Sequence, residues 1–159
     1  FHPEVTQDPE SVVSAITEAG AGAGVAVHPD VSLEWAARLL DRLDVVLMMT
    51  VRPGFGGQKF LGEVVPKIEA ARDLVDRAAS TADIEIDGGV NLSTLDAAVR
   101  AGGDILVTGS AVYDGKDPVA AAGRGGIPAA PRPRTRPLSV PAPVVVSTGH
   151  ETMTDVDCE

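Results

Sequence analysis

The chain has 159 residues, a formal net charge of -10 and only 3% aromatic residues. That length supports one domain with a single core, and the acidic balance argues against nucleic acid or an anionic membrane as partner. No apolar run reaches the roughly 18 residues needed to span a bilayer, and the lone Cys158 provides no disulfide framework, which makes a reducing cytoplasm the expected location.

The chain opens on Phe1, not Met, with no signal peptide, and is expected to have lost its true start. Phe1 to Val5 are apolar enough to be the end of a strand. Asp8-Pro9 reads as an N-cap followed by proline at the first helical position. Val12, Val13, Ile16 and Ala19 then make an apolar helical stripe that Gly20 stops. Gly24 to His28 form a short buried strand closed by Pro29. Ser32 is expected to cap the next helix, with Trp35, Leu39, Leu40 and Leu43 on its inner face. Val45 to Met49 is a continuous apolar run, as in a strand buried on both faces.

Immediately after it the chain breaks into Pro53-Gly54-Phe55-Gly56-Gly57. Such a loop permits close backbone approach and leaves several N–H groups unshielded. Val64, Val65, Ile68, Ala71, Leu74 and Val75 predict a longer amphipathic helix, with Lys67 and Arg72 outward. Ile84 to Asp87 make the next strand and Gly88-Gly89 a second glycine turn. Ser93 to Asp96 fit a capping box, and that helix ends near Gly102-Gly103. Asp104 to Thr108 form another strand, which runs into Gly109-Ser110 and a short helix at Ala111 to Tyr113. Asp117-Pro118 repeats the cap and proline pattern. From Gly123 the composition changes, and Pro128, Pro131, Pro133, Pro137, Pro141 and Pro143 interleave with Arg132, Arg134 and Arg136. Residues 123–159 are expected to be a disordered, Pro/Arg-rich low-complexity tail.

Strand and helix alternate about four times over roughly 120 residues, which predicts an α/β protein with a parallel βα array. An open doubly wound sheet and a (β/α)8 barrel compete. A barrel takes about 200 to 250 residues, so the chain holds about half of one. In either architecture the strands' C-terminal ends carry the site. Three small-residue turns collect there: Gly54 to Gly57, Gly88-Gly89 and Gly109-Ser110. Together they can offer backbone N–H donors to one oxyanion, such as a phosphate.

Asp87 is the candidate reactive group, because an acid at a strand end can ligate a metal or move a proton. Glu85 shares its face of the strand. That Asp87 merely caps its turn stays open. Met48 and Met49 would ordinarily be core. His2 and His28 lie near strand ends without a partner in sequence, His150 falls in the tail, and Arg52 and Lys59 flank the glycine loop. No Cys/His cluster, Ser-His-Asp set or dinucleotide fingerprint is present.

The run Met49-Thr50-Val51-Arg52-Pro53-Gly54-Phe55-Gly56-Gly57-Gln58-Lys59-Phe60 strongly resembles the signature of ribulose-phosphate 3-epimerases. Ile86-Asp87-Gly88-Gly89-Val90 and Val107-Thr108-Gly109-Ser110-Ala111 follow in that family's order and spacing, and Phe1-His2-Pro3-Glu4 looks like its fourth strand. The resemblance covers about residues 1–122 and implies a TIM (β/α)8 barrel of which this chain holds strands four to eight. It implies an isomerase of the pentose phosphate pathway that interconverts D-ribulose 5-phosphate and D-xylulose 5-phosphate at carbon 3.

A divalent metal cation (Zn, Fe, Mn or Co) would polarise the ketone and stabilise an enediolate, while two aspartates on opposite faces exchange the proton. By resemblance Asp87 is one of those aspartates and also a metal ligand. Gly54, Phe55, Gly56, Gly57, Gly88, Gly89, Gly109 and Ser110 would hold the phosphate, and Met49 would line the active site beside the reacting carbons. The implied partner is a small sugar phosphate, with a homo-oligomer left open.

The departures are as informative. Two histidines and a second aspartate of the family's metal site come from its second and third strands, and a serine from its first. None has a counterpart here, and the eighth helix gives way to the tail. The chain by itself is therefore expected to be inactive, and its unclosed sheet to aggregate or pair with another half. Two alternatives stand beside this reading: an epimerase of a six-carbon ketose phosphate, and a non-catalytic phosphate-binding fragment.

Overall fold

The computed structural model describes residues 1–52, 54, 57–113 and 144–145. After a short 3-10 turn at Pro3–Val5, helix α1 spans Pro9–Glu18, strand β1 Gly24–Val27, and helix α2 Glu34–Leu39. Strand β2 (Val45–Met49), helix α3 (Val65–Arg77), strand β3 (Asp83–Asp87), helix α4 (Leu95–Ala101), strand β4 (Ile105–Val107) and helix α5 (Ser110–Tyr113) follow, and Val144–Val145 form a two-residue β5. The expected helix at Asp117-Pro118 and almost all of the expected tail lie outside the described residues.

All five strands are parallel and stand side by side in sequence order, β1-β2-β3-β4-β5. A doubly wound sheet reverses its strand order at a switch point and covers both faces with helices. Among the described residues the order never reverses, and the main hydrophobic cluster lies on one side of the sheet. Val25, Val27, Val46, Met48, Ile84, Ile86 and Leu106 pack against Val13 of α1, Ala36 and Leu39 of α2, Ile68, Ala71 and Val75 of α3, and Ala98 and Ala101 of α4. The alternate residues of the same strands, among them Leu47, Met49, Glu85, Asp87, Ile105 and Val107, contribute nothing to that core. This is the pattern of a partial barrel, with helices outside and a separate inner face.

The local signals explain most boundaries. Asp8 caps α1 by accepting from the Ser11 N–H at 3.0 Å and from its hydroxyl at 2.5 Å, and those bonds hold its carboxyl below the ordinary value. Two aspartates serve the sheet's lower edge in the same way. Asp44, just before β2, accepts from the Ala23 N–H, and Asp104, just before β4, accepts from that of Ile84, each at 2.9 Å.

Several expectations are corrected. Phe1 alone takes the strand role, its amino group donating to the Gly24 carbonyl (2.9 Å) and its carbonyl accepting from the Ala26 N–H (2.8 Å), the pattern of a parallel neighbour to β1. Pro3, which has no N–H to continue the ladder, then opens the 3-10 turn.

Ser32 does not cap α2. Its hydroxyl accepts from the Glu34 N–H at 3.4 Å, but the cap position is Leu33. The capping box at Ser93 to Asp96 is replaced by an Asn91 turn. Asn91 accepts from Ser93 N–H through its side chain and from Leu95 N–H through its carbonyl, and Thr94 turns back to accept from the Asn91 N–H.

Lys67 and Arg72 are not simply outward. Lys67, in the first turn of α3, donates to the carbonyls of His28 and Pro29 (2.9 Å each) and of Val31. Burial pushes its ammonium below the ordinary value, with Asp30 opposing. The Arg72 side chain is only 14% exposed and bridges Asp76 and Asp104 between α3 and the start of β4.

Candidate functional site

Strand β3 sets the site by simple alternation. Ile84 and Ile86 are fully buried in the helix-side core, so Asp83, Glu85 and Asp87 occupy the other face. Parallel register places Met49 beside Asp87 and Val107 on its other flank, while Leu47, Glu85 and Ile105 form the row beneath. The top of this inner face is therefore one carboxylate between two apolar side chains. Burial raises the Asp87 carboxyl above the ordinary range. Glu85 is raised as well, first by burial and then by the charge of Asp87. A carboxylate whose pKa is raised is a stronger base once ionised.

The turns above Asp87 are locked to the loop that leaves β2. Thr50 is fully buried. Its N–H donates to the Asp87 carbonyl at 2.8 Å, and its hydroxyl lies 2.6 Å from the Gly88 carbonyl and 3.0 Å from that of Asp87. The Thr50 carbonyl in turn accepts from the Leu61 N–H at 2.8 Å, closing the base of the glycine loop. Gly88 and Gly89 sit directly against that base. A Cβ at Gly88 would come within 2.5 Å of Val51, and one at Gly89 within 2.2 Å of the Phe60 nitrogen. Both have positive φ, so side chains are excluded by conformation as well as by space. The third turn is tied in by Thr108, whose hydroxyl donates to the Val90 carbonyl at 3.0 Å, and Gly109 accepts the first N–H bonds of α5.

The sequence-derived candidates fall out as follows. Asp87 and Met49 are side by side. Gly88 and Gly89 contact the glycine loop at its base, through Val51, Lys59 and Phe60. Gly54 and Gly57 have open space where a Cβ would stand, while Phe55 and Gly56 lie outside the described residues. Gly109 lies two residues past the end of β4, and Ser110 begins α5.

His2 and His28 each meet a carboxylate of their own loop, Glu4 at 3.4 Å and Asp30 at 3.6 Å. Arg52 also turns to Asp30, at 3.3 Å, and Lys59 is exposed. Thr50 was not singled out from the sequence. The one available signal is a polar residue that directly follows a five-residue apolar strand.

The donors among the described residues do not suffice for a metal. Among the described residues no three His, Cys, Asp or Glu side chains come together in a group that could hold an ion. Asp87 has one carboxylate neighbour on its face, Glu85, two positions lower.

The model of the ribulose-phosphate 3-epimerase family matches residues 1–113. The chain belongs to that family. It is 47% identical over 121 residues to the ribulose-phosphate 3-epimerase of Mycobacterium tuberculosis, covering 76% of this chain and 53% of that protein. It is 40% identical over 121 residues to ribulose-phosphate 3-epimerase 1 of Cupriavidus necator (74% and 50%), and 36% identical over 117 residues to the Escherichia coli enzyme (74% and 52%). The chain thus spans about half the length of the curated relatives it matches. The epimerase family has the barrel fold, and the one-sided parallel sheet is part of such a barrel. No helix among the described residues is long and apolar enough to cross a membrane.

Proposed function

We propose that this chain supplies one side of the sugar-phosphate pocket of a cytoplasmic ribulose-phosphate 3-epimerase, with D-ribulose 5-phosphate and D-xylulose 5-phosphate as substrate and product. The observation that carries the reading is Asp87 beside Met49 on the inner face, directly beneath glycine turns locked to the loop after β2. The backbone N–H groups of Gly54, Phe55, Gly56, Gly57, Gly88, Gly89, Gly109 and Ser110 hold the phosphate, and Met49 gives the reacting carbons an apolar wall. The ionised Asp87 carboxylate removes the proton from carbon 3. The C–H electron pair becomes the C2–C3 double bond, and the carbonyl oxygen takes the negative charge.

Epimerisation then needs an acid on the opposite face, which the described residues do not supply. A divalent cation would stabilise the oxyanion, but Asp87 alone does not make its site, so no step here is assigned to it.

Joining to this chain the part of the Mycobacterium tuberculosis relative that it does not cover tests the reading. The chimera is expected to interconvert the two pentulose phosphates and to exchange the carbon 3 proton with solvent deuterium. Asp87→Asn should reduce both by at least about a hundredfold, the usual contribution of a positioned acid or base. Faster turnover of D-allulose 6-phosphate would reassign the substrate. Full turnover by the present chain alone would show that one face suffices. The missing opposite acid favours one second reading, a fragment that binds sugar phosphate without catalysis. It predicts that the present chain binds phosphate and that no deuterium enters carbon 3 of a sugar phosphate bound to it.

A further inference from the structure

The Thr50 hydroxyl holds the Gly88 carbonyl at 2.6 Å, deep inside the joint between β2 and β3. A hydroxyl has one proton to donate. The Asp87 carbonyl is already served by the Thr50 N–H at 2.8 Å, so the hydroxyl proton goes to Gly88, the shorter contact. In a trans peptide the C=O and the following N–H point in opposite directions within one plane, and no peptide among the described residues is cis.

Holding the carbonyls of Asp87 and Gly88 towards Thr50 therefore turns the N–H groups of Gly88 and Gly89 away from it. Through its own carbonyl and the Leu61 N–H the same residue closes the base of the glycine loop, and the loop's end is anchored where Phe60 and Leu61 pack on the core. One buried side chain thus governs two peptide planes and the loop beside them.

We propose that Thr50 is a positioning residue that aims the Gly88 and Gly89 N–H groups at the anion and keeps them in register with Asp87, a role that rests on the sugar-phosphate pocket proposed above. Thr50 touches no substrate. It acts through the Asp87-Gly88-Gly89 backbone, where neither glycine can be replaced to compensate.

The test is an NMR titration of the intact chain with inorganic phosphate, following the Gly88 and Gly89 amides, alongside thermal unfolding. The variants are Thr50→Val, which keeps shape and loses the hydroxyl, Thr50→Ser, which keeps the hydroxyl, and Val75→Ala, a core change in α3 remote from the joint. Wild type should show saturable shifts at both glycines, and Thr50→Ser should bind within about twofold of it. Thr50→Val should bind roughly tenfold more weakly, one hydrogen bond's worth of positioning. Val75→Ala should lose stability but keep its phosphate affinity.

If Thr50→Val does not fold, Thr50→Cys, with its weak donor, takes its place under the same criterion. Unchanged affinity in the hydroxyl-free variant, or an equal loss in Val75→Ala, overturns the role of Thr50 and leaves the pocket standing. A wild-type chain whose Gly88 and Gly89 amides ignore phosphate overturns the pocket, and Thr50's role with it.

Discussion

The contact between the β3 turn and the glycine loop can be measured by comparing two alanine substitutions, Gly89→Ala and Gly20→Ala. Both glycines have positive φ, +65° and +80°, so each alanine carries a left-handed strain of about 1–2 kcal/mol. Their surroundings differ completely. At Gly20 a Cβ has nothing within 4 Å, whereas at Gly89 it lies 2.2 Å from the Phe60 nitrogen and 2.8 Å from the Lys59 carbonyl carbon. Those are backbone atoms and cannot swing aside as a side chain would.

Overpacking of this kind adds about 1–3 kcal/mol, and the entropy alanine removes from the unfolded chain is the same at both sites. Gly20→Ala should therefore cost about 1–2 kcal/mol and Gly89→Ala about 2 kcal/mol more. With a urea slope of about 2 kcal/mol per molar, the two midpoints separate by about 1 M. Trp35, the single tryptophan, is half-buried in α2 with Arg38 stacked 4.5 Å from its ring, and reports the unfolding by fluorescence. Coincident midpoints would refute the claim that the turn and the loop base are in contact.

Arg72→Met should cost about 2–4 kcal/mol in the same assay, because it takes the guanidinium away from the Asp104 carboxylate, whose side chain is 10% exposed. Arg100→Met, whose pair with Asp96 is 78% and 73% exposed, should cost less than about 0.5 kcal/mol. Lys67→Met leaves three carbonyls of the His28 to Val31 segment without their shared donor and should cost about 1–3 kcal/mol, with faster amide exchange in that segment before any other. Acid should loosen α1 through Asp8. Its folded pKa is depressed, so the cap stabilises the folded state above the ordinary value of 3.8 and is lost as pH falls through the lower, folded one. In Asp8→Ala the exchange of the Ser11 amide should be faster at neutral pH and lose that acid dependence.

The strand and helix order was legible because each strand is a short apolar run bounded by glycine, proline or aspartate, signals that act locally. Asp8-Pro9 and the Gly20 stop needed nothing beyond their own turn. Asp87 and the glycine turns were legible for a different reason, since strand ends carry the site in any parallel βα array. What escaped depends on neighbours distant in sequence. Lys67 reads as a solvated charge on a helical wheel, and only the fold brings the carbonyls 36 to 39 positions away within its reach. Arg72 finds Asp104 32 positions on, in the same manner. Ser93 to Asp96 has the right letters for a capping box, but Asn91, two residues earlier, takes the Ser93 N–H that the box would need, takes the Leu95 N–H as well, and forms its own turn.

The same alternation that builds the core also fixes where the acid stands. Shifting β3 by one residue against β2 would carry Glu85 and Asp87 into the apolar layer and turn Ile84 and Ile86 inward. Two unpaired carboxylates in that layer would cost far more than any local bond could recover, so helix packing alone excludes the slip. The hydrogen bonds then set the ends of the strand within that register. Asp104 takes the Ile84 N–H and the Asp44 carbonyl takes the Asp83 N–H at the bottom, while Thr50 takes the Asp87 carbonyl at the top. Asp87 is thus placed by residues on the opposite face of the sheet. Substitutions in the helix-side core should therefore change stability without changing which side chains look inward, whereas those in the joint at Thr50, Gly88 and Gly89 should disturb the pocket first.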